Sequence, residues 1–157
     1  MNAEIGNIAL ILAFLLGIIF GVVPIYGAAK NNSALAGIAI PATRIQFLFV
    51  LIAYVCLTYS FVISDFSIAY VANNSNSKLP LIYRISGVWG AHEGSLLLWA
   101  LILSLWTILV SIFSRNVPKM MIARVLGVMG LISVGFLAFI LFTSNPFDRL
   151  FPSPLEG

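Results

Sequence analysis

Charged residues are scarce in this chain of 157 residues. Lys and Arg number 8 and Asp and Glu 5, so that charged residues make up 8% of the sequence, against 61% hydrophobic residues. A soluble domain of this length cannot enclose such a share of apolar side chains. The formal net charge of +3 is weak evidence for an anionic partner, because basic residues in membrane proteins more often set orientation, and we expect no nucleic acid partner. We therefore predict an integral membrane protein.

Cysteine and histidine occur once each, as Cys56 and His92. A single cysteine excludes an intrachain disulfide. A single histidine is a weak indication of a zinc or haem site, since most such sites need further donors. The chain also lacks a Cys-x-x-Cys pair and a glycine-rich phosphate loop, so two common arrangements for chemistry are absent.

Long apolar runs recur along the chain with polar breaks between them. A helix needs about 20 apolar residues to cross the hydrocarbon of a bilayer, and the short alternating segments of a β-barrel are not seen. The sequence predicts an all-α integral membrane fold with about four transmembrane helices, at residues 5–29, 46–63, 95–113 and 125–142.

The charges are divided between two sets of loops. The two loops that join spans one to two and three to four contain no acid, but five cations: Lys30, Arg44, Arg115, Lys119 and Arg124. Positively charged loops stay in the cytoplasm. We therefore predict a multi-pass membrane protein whose N-terminus and middle loop, residues 64–94, face outward.

The middle loop is the least membrane-like stretch. Apolar residues recur at helical spacing after Pro80, namely Leu81, Ile82, Ile85, Val88 and Trp89. Proline suits the first turn of a helix, and the pattern predicts a short amphipathic helix on the outer surface. Tyr70, Tyr83 and Trp89 suit the headgroup level as interface anchors, which we favour over a ligand cage.

The run from Trp89 to Ser95 places the only histidine beside a carboxylate at the mouth of the third span. Gly90 and Gly94 permit close approach of the backbone, and His92 and Glu93 can satisfy each other or nearby backbone groups where water is scarce. We expect this mouth motif, residues 89–95, to organise the mouth, with His92 and Glu93 both needed for assembly, rather than to perform bond-making chemistry.

Residues seven apart on a helix lie on nearly one face, so His92, Trp99 and Trp106 form a stripe that descends from the mouth. Ser95 and Leu103 lie beside it. Two interpretations remain open: a groove for a flat aromatic ligand, or packing against a neighbouring helix.

Several runs of the chain resemble one known family. They are Glu4-Ile5-Gly6-Asn7, Asp65-Phe66, Tyr70 to Asn76, Leu79-Pro80 with Tyr83-Arg84, Trp89 to Trp99, and Phe142 to Phe147. Together they resemble the N-terminal part of the cytochrome c maturation protein F family, the large membrane subunit of the bacterial cytochrome c haem lyase. A haem lyase subunit dedicated to a nitrite reductase is a close relative and shares the motif.

The resemblance implies a subunit of the bacterial inner membrane that handles haem at the outer face for covalent attachment to apocytochrome c. It implies three partners: a haem chaperone, apocytochrome c and the rest of the lyase. Trp89, His92 and Trp99 become candidates for the vicinity of haem, with Gly90, Glu93, Gly94 and Ser95 as a structural motif. Family members are several times longer, and the histidines that hold haem in them lie beyond the matching region, so the ligands are expected outside this chain. The resemblance implies a fragment, a truncated product or one piece of a split subunit.

Two other classes of function remain open. One is a structural scaffold of the lyase that binds no haem itself. The other is a small transporter subunit, which we rank below the scaffold because such proteins carry ionisable residues or broken helices within the membrane, and here Pro24 near the end of span one is a poor substitute.

Overall fold

A computed structural model describes all residues, 1–157, and four of its helices are long and apolar enough to cross a membrane. These are α1 (Asn2–Ala29), α3 (Ala39–Val62), α6 (His92–Phe113) and α7 (Lys119–Phe142). Three short helices complete the chain: α2 (Ser33–Gly37), α4 (Ala69–Asn74) and α5 (Leu81–Gly87). The predicted all-α membrane fold is confirmed.

The long helices begin earlier than the apolar runs. Helix α3 begins at Ala39 instead of residue 46, α6 at His92 instead of 95, and α7 at Lys119 instead of 125. Two of these helices have a proline at their start. Pro41 lies in the first turn of α3, and Pro118 immediately precedes α7. Proline is compatible with the start of a helix. Hydropathy therefore detects the apolar part of each helix but not the polar turns that extend it into the headgroup region.

The four long helices alternate in direction and close a ring in the order α1, α3, α6, α7, in which each contacts the next and α7 contacts α1. One end of the bundle carries Glu4, Asp65, Glu93 and Asp148, and we call it the acidic end. The other carries the cations Lys30, Arg44, Arg115, Lys119 and Arg124, and we call it the basic end. The core between them is mostly apolar, with Leu10, Phe20, Leu57, Phe61, Leu97 and Leu137 fully buried.

Glycines allow α1 and α7 to approach closely. A Cβ on Gly130 would lie 2.7 Å from Cδ2 of Phe20, and a Cβ on Gly127 would lie 3.1 Å from the carbonyl oxygen of Gly21. In lipid the hydrophobic effect does not drive helices together, so van der Waals packing and hydrogen bonds must do so. Small residues at the interface strengthen that packing, because they let the two backbones come close. The α1–α7 contact thus depends on particular glycines.

A buried amide ties three helices together inside the membrane. Gln46 of α3 is 1% exposed, and its Nε2 donates to the carbonyl oxygen of Ala13 in α1 (3.1 Å) and to Oγ of Ser133 in α7 (2.9 Å). Both N–H groups of the amide are therefore satisfied, as hydrocarbon requires. Gln46 lies at the first residue of the predicted second span, and hydropathy gave no indication of this role.

At the basic end, Asn32 caps α2, because its side chain accepts hydrogen bonds from the N–H groups of Ala34 and Leu35.

The chain between α3 and α6, residues 63–91, forms a cover over the acidic end. Within the cover, Arg84 of α5 donates to the carbonyl oxygen of Val62 (2.9 Å) at the end of α3, where a cation complements the helix dipole. The amphipathic helix predicted in the middle loop corresponds to α5, none of whose residues is buried.

Candidate functional site

The mouth motif lies where the cover meets the start of α6. Ala91 is the N-cap in an extended conformation, and His92 is the first helical residue. The imidazole of His92 is exposed and stands edge-on to the ring of Phe139 in α7, with 5.9 Å between ring centroids. No ion pair joins His92 to Glu93, because both ion pairs of the structure are made by Glu4. Of the two ways in which these side chains were expected to be satisfied, each other or nearby backbone groups, the direct pair is not formed.

Below His92 an aromatic groove runs along the lateral, lipid-facing side of the bundle between α6 and α7. Its upper part is a cavity of about 230 Å³ lined by Leu96, Gly135, Phe136 and Phe139. Its lower part is a cavity of about 320 Å³ lined by Trp99, Ile102, Leu103, Trp106 and Phe136. The two adjoin at Phe136. We call the whole, from His92 to Trp106, the aromatic groove.

The two tryptophans of the groove face away from the bundle. Trp99 is 63% and Trp106 60% exposed. At 1.5 Å of rise per residue they lie about 10 Å and about 21 Å below His92 along the helix axis. One interpretation of the stripe was packing against a neighbouring helix. Within this chain such packing is limited to one edge of the stripe, where Phe136 and Phe139 of α7 lie beside it.

The opposite face of α6 explains why the aromatic side chains point outward. That face buries small or weakly polar residues, among them Ala100, Ser104, Thr107 and Ser111. Each hydroxyl donates to a carbonyl oxygen of its own helix, for example Thr107 Oγ1 to Leu103 (2.8 Å), so none is left unsatisfied. The bundle interior takes the small side chains, and only the outer face has room for indole rings.

Gly94 is the residue of the motif on which the mouth depends. It is buried, and a Cβ there would overlap the carbonyl oxygen of Val88 and lie 2.6 Å from the hydroxyl of Tyr70. That hydroxyl donates to the Val88 carbonyl oxygen at 3.0 Å. Burial raises the pKa of Tyr70, so the phenol stays protonated and remains a donor. We call Tyr70, Val88 and Gly94 the collar.

The collar corrects the interpretation of Tyr70. It was expected at the headgroup level, but it is 4% exposed and its ring stands edge-on to Phe61 of α3 at 5.4 Å. Tyr83 and Trp89 are exposed, as interface anchors are. The sequence could not show that Tyr70 is buried while Tyr83 and Trp89 are exposed. Tyr70 lies on a six-residue helix, which is too short to show a hydrophobic pattern.

The remaining motif residues have smaller roles. Gly90 makes only ordinary contacts, since a Cβ there would lie 3.6 Å from its nearest neighbours; close backbone approach is therefore a property of Gly94 alone. Ser95 Oγ donates to the carbonyl oxygen of His92 (2.9 Å). Glu93 lies in the first turn of α6, where a carboxylate complements the helix dipole.

The other family-like runs meet at the same end of the bundle. Arg149 forms an ion pair with Glu4 and a hydrogen bond with Ser67, whose hydroxyl also donates to Asp65 (2.5 Å). Asn145 donates to Asn7 (3.0 Å). The ring of Phe147 is buried against Gly6, where a Cβ would lie 2.9 Å from Cε2. Runs that are far apart in sequence therefore act together by fastening the two ends of the chain to the cover.

Comparisons with known proteins agree with this arrangement. A family model described as "Cytochrome C assembly protein" matches residues 89–156, beginning at the first residue of the mouth motif. The cytochrome c-type biogenesis protein CcmF of Pseudomonas fluorescens is 56% identical over 98% of this chain. The protein of the same name in Escherichia coli strain K12 is 48% identical over the whole chain, and cytochrome c-type biogenesis protein NrfE of Haemophilus influenzae is 41% identical over the whole chain.

A solved structure has the same helical frame. The chain titled "Cytochrome c Heme Lyase CcmF" superposes with a TM-score of 0.89 at 29% identity, covering 96% of this chain and 25% of its own length. This chain likewise spans about a quarter of the curated relatives, 24% of the two CcmF proteins and 25% of NrfE. With matches over its whole length in both sequence and structure, the chain belongs to the cytochrome c maturation protein F family and corresponds to its N-terminal part.

Proposed function

We propose that this chain acts in cytochrome c maturation as the N-terminal membrane part of a haem lyase, and that its aromatic groove faces haem at the outer side of the membrane. The observation that carries the proposal is the groove itself. It begins at the only histidine and presents two indole faces that the bundle leaves uncovered.

The depth of Trp99 supports an occupant other than lipid chains. Tryptophan favours the membrane interface, where its N–H meets water or headgroups. Trp99 lies about 10 Å below the start of α6, and its side chain is 63% exposed on the surface of the bundle. A flat aromatic ligand such as haem would cover the indole face, and the rest of the lyase would supply the remaining walls.

Haem enters here as substrate. The mouth offers one imidazole donor, His92. Three of the four methionines, Met120, Met121 and Met129, lie on the half of α7 nearer the basic end, and Met1 lies at the acidic end beside Glu4. Haem iron takes axial ligands from particular side chains. His92 would therefore serve as one ligand or as a polar contact, with Trp89 and Trp99 beside the macrocycle, and further ligands would come from outside this chain. A haem chaperone and apocytochrome c are the proposed partners at this face.

A structural scaffold without haem contact is the second candidate. The collar and the fastening of Glu4 to Arg149 favour it, because both serve packing alone. The two functions differ in how they would use the exposed residues. For haem handling, loss of His92 or Trp99 lowers holocytochrome c while the protein still accumulates; for a scaffold, any loss of holocytochrome c follows a loss of the protein itself.

We expect His92→Ala and Trp99→Ala to lower holocytochrome c by about tenfold, the effect of losing about 1.4 kcal/mol at a binding site, while the protein accumulates normally. The variants are made in the complete protein, in a strain that depends on it for cytochrome c maturation. Holocytochrome c is measured by haem staining, and the lyase by immunoblot of the membrane fraction.

Leu105→Ala is the matched control, because Leu105 is also exposed on α6 but does not line the groove. It should leave both quantities unchanged. If His92→Ala and Trp99→Ala also leave holocytochrome c unchanged, the haem-facing groove is rejected. A parallel fall of lyase and holocytochrome c would favour the scaffold.

We further propose that the acidic end faces outward in this multi-pass inner-membrane protein. The five cations of the basic end, with no acid among them, support this orientation. A reporter active only outside the cytoplasm should be active when fused after Asn76 and inactive when fused after Asn116. Activity at Asn116 with none at Asn76 would reverse the orientation.

A further inference from the structure

The basic end contains a cavity that the proposed function does not use. It has a volume of about 290 Å³ and lies between the end of α2, the start of α3, the end of α6 and the start of α7. Its inner walls are apolar and include Ala39, Ile40, Ile122 and Ala123. Its rim carries two cations, Arg115 and Lys119. We call it the basic cavity.

Neither cation of the rim has a counter-charge in the chain. Both ion pairs of the structure lie on Glu4, at the other end of the bundle. Four of the five acids lie at the acidic end and the fifth, Glu156, is bonded to Ser77. The ammonium of Lys119 extends over α2, where a Cβ on Gly37 would lie 3.4 Å from Nζ. Within this chain, two positive charges therefore line an apolar recess and no acid neutralises them.

The position of the cavity matches the boundary between headgroups and acyl chains. Arg115 follows the end of α6 at Phe113, and Lys119 is the first residue of α7, so the charges stand at the polar edge of the membrane and the recess lies on its apolar side. Basic pockets between transmembrane helices bind anionic lipid headgroups through such an arrangement. A soluble phosphate compound would have no use for the apolar walls.

We propose that the basic cavity binds one phospholipid with an anionic headgroup, its phosphate between Arg115 and Lys119 and the start of an acyl chain along Ile40 and Ile122. Binding is reversible and needs no other group. The proposal is independent of haem handling and of the orientation of the bundle, because it rests on the cavity and its charges alone.

The test is native mass spectrometry of the purified protein with phosphatidylglycerol or phosphatidylcholine of the same acyl chains. Phosphatidylglycerol should stay bound at a stoichiometry of one and phosphatidylcholine should not. In R115Q/K119Q the affinity for phosphatidylglycerol should fall about 25-fold, since each basic side chain near a membrane surface contributes about a factor of five. The single variants R115Q and K119Q should each lose about fivefold.

K30Q/R44Q is the matched control, because it removes the same charge from the same end without touching the cavity. It should retain binding within about twofold, since exposed charges outside the site are screened. An equal loss in this control would mean general attraction to a positive surface and would overturn the proposal. So would equal retention of phosphatidylcholine, or displacement of the lipid by millimolar inorganic phosphate, which would identify a site for free anions instead.

Discussion

Replacement of Gly94 by alanine is expected to lower the amount of folded protein in the membrane by about tenfold or more. The added methyl group would overlap the carbonyl oxygen of Val88 and crowd the hydroxyl of Tyr70. Relief requires movement of the backbone at Val88, which is fully buried, and loss of the Tyr70 hydrogen bond. Overpacking of this kind costs about 3 kcal/mol. The measurement is the monodisperse fraction of a fluorescent fusion extracted in mild detergent.

Gly90→Ala provides the matched control four residues earlier in the same motif. Its methyl group would lie at an ordinary contact distance of 3.6 Å, so accumulation should stay close to that of the unaltered protein. If Gly94→Ala accumulates as well as Gly90→Ala, the collar does not hold the cover on α6. The packing role of the motif would then have to be abandoned.

Two glycines of α7 should respond differently to replacement by alanine. At Gly130 a Cβ would press into the fully buried ring of Phe20, and the expected loss of stability is about 1–3 kcal/mol. At Gly135 no atom lies within 4 Å of the added group. Alanine in an exposed helix position is more favourable than glycine by up to about 1 kcal/mol, so Gly135→Ala should be neutral or slightly stabilising.

The midpoint of thermal unfolding in detergent measures both variants under identical conditions. A lower midpoint for Gly130→Ala with an unchanged or higher midpoint for Gly135→Ala is the expected result. Equal shifts of the two midpoints would mean that helix propensity rather than the α1–α7 contact decides the outcome. The contact would then be too loose to specify how α7 docks.

Much of the fold follows from the sequence because lipid imposes a simple requirement on helices. Runs of apolar residues about 20 long must span, and those runs locate α1, α3, α6 and α7. The polar first turns escaped detection for the same reason. Arg44 and Gln46 lower the hydropathy at the start of α3, although one is exposed at the basic end and the other has its donors satisfied by neighbouring helices.

The candidate site could be predicted only in part. Seven-residue spacing on α6 correctly aligned His92, Trp99 and Trp106, but it could not show which way the stripe faces. That depends on α7, whose Phe136 and Phe139 form the other edge of the groove, and on the small residues that α6 turns inward. The two glycines of the motif looked alike in sequence. Their difference arises from the Val88 carbonyl, which a short and irregular segment brings against Gly94.

The amide of Gln46 also bears on the order in which the helices enter the membrane. Its acceptor in α1 is made before it, whereas Ser133 follows it by 87 residues, an interval of about 4–17 s at bacterial rates of synthesis. During that interval one N–H of the amide lacks its native acceptor, and the lipid hydrocarbon provides no other acceptor. The newly made pair of α1 and α3 therefore contains one amide N–H without its native acceptor. That acceptor, Ser133, is present only once α7, the fourth spanning helix, has been synthesised.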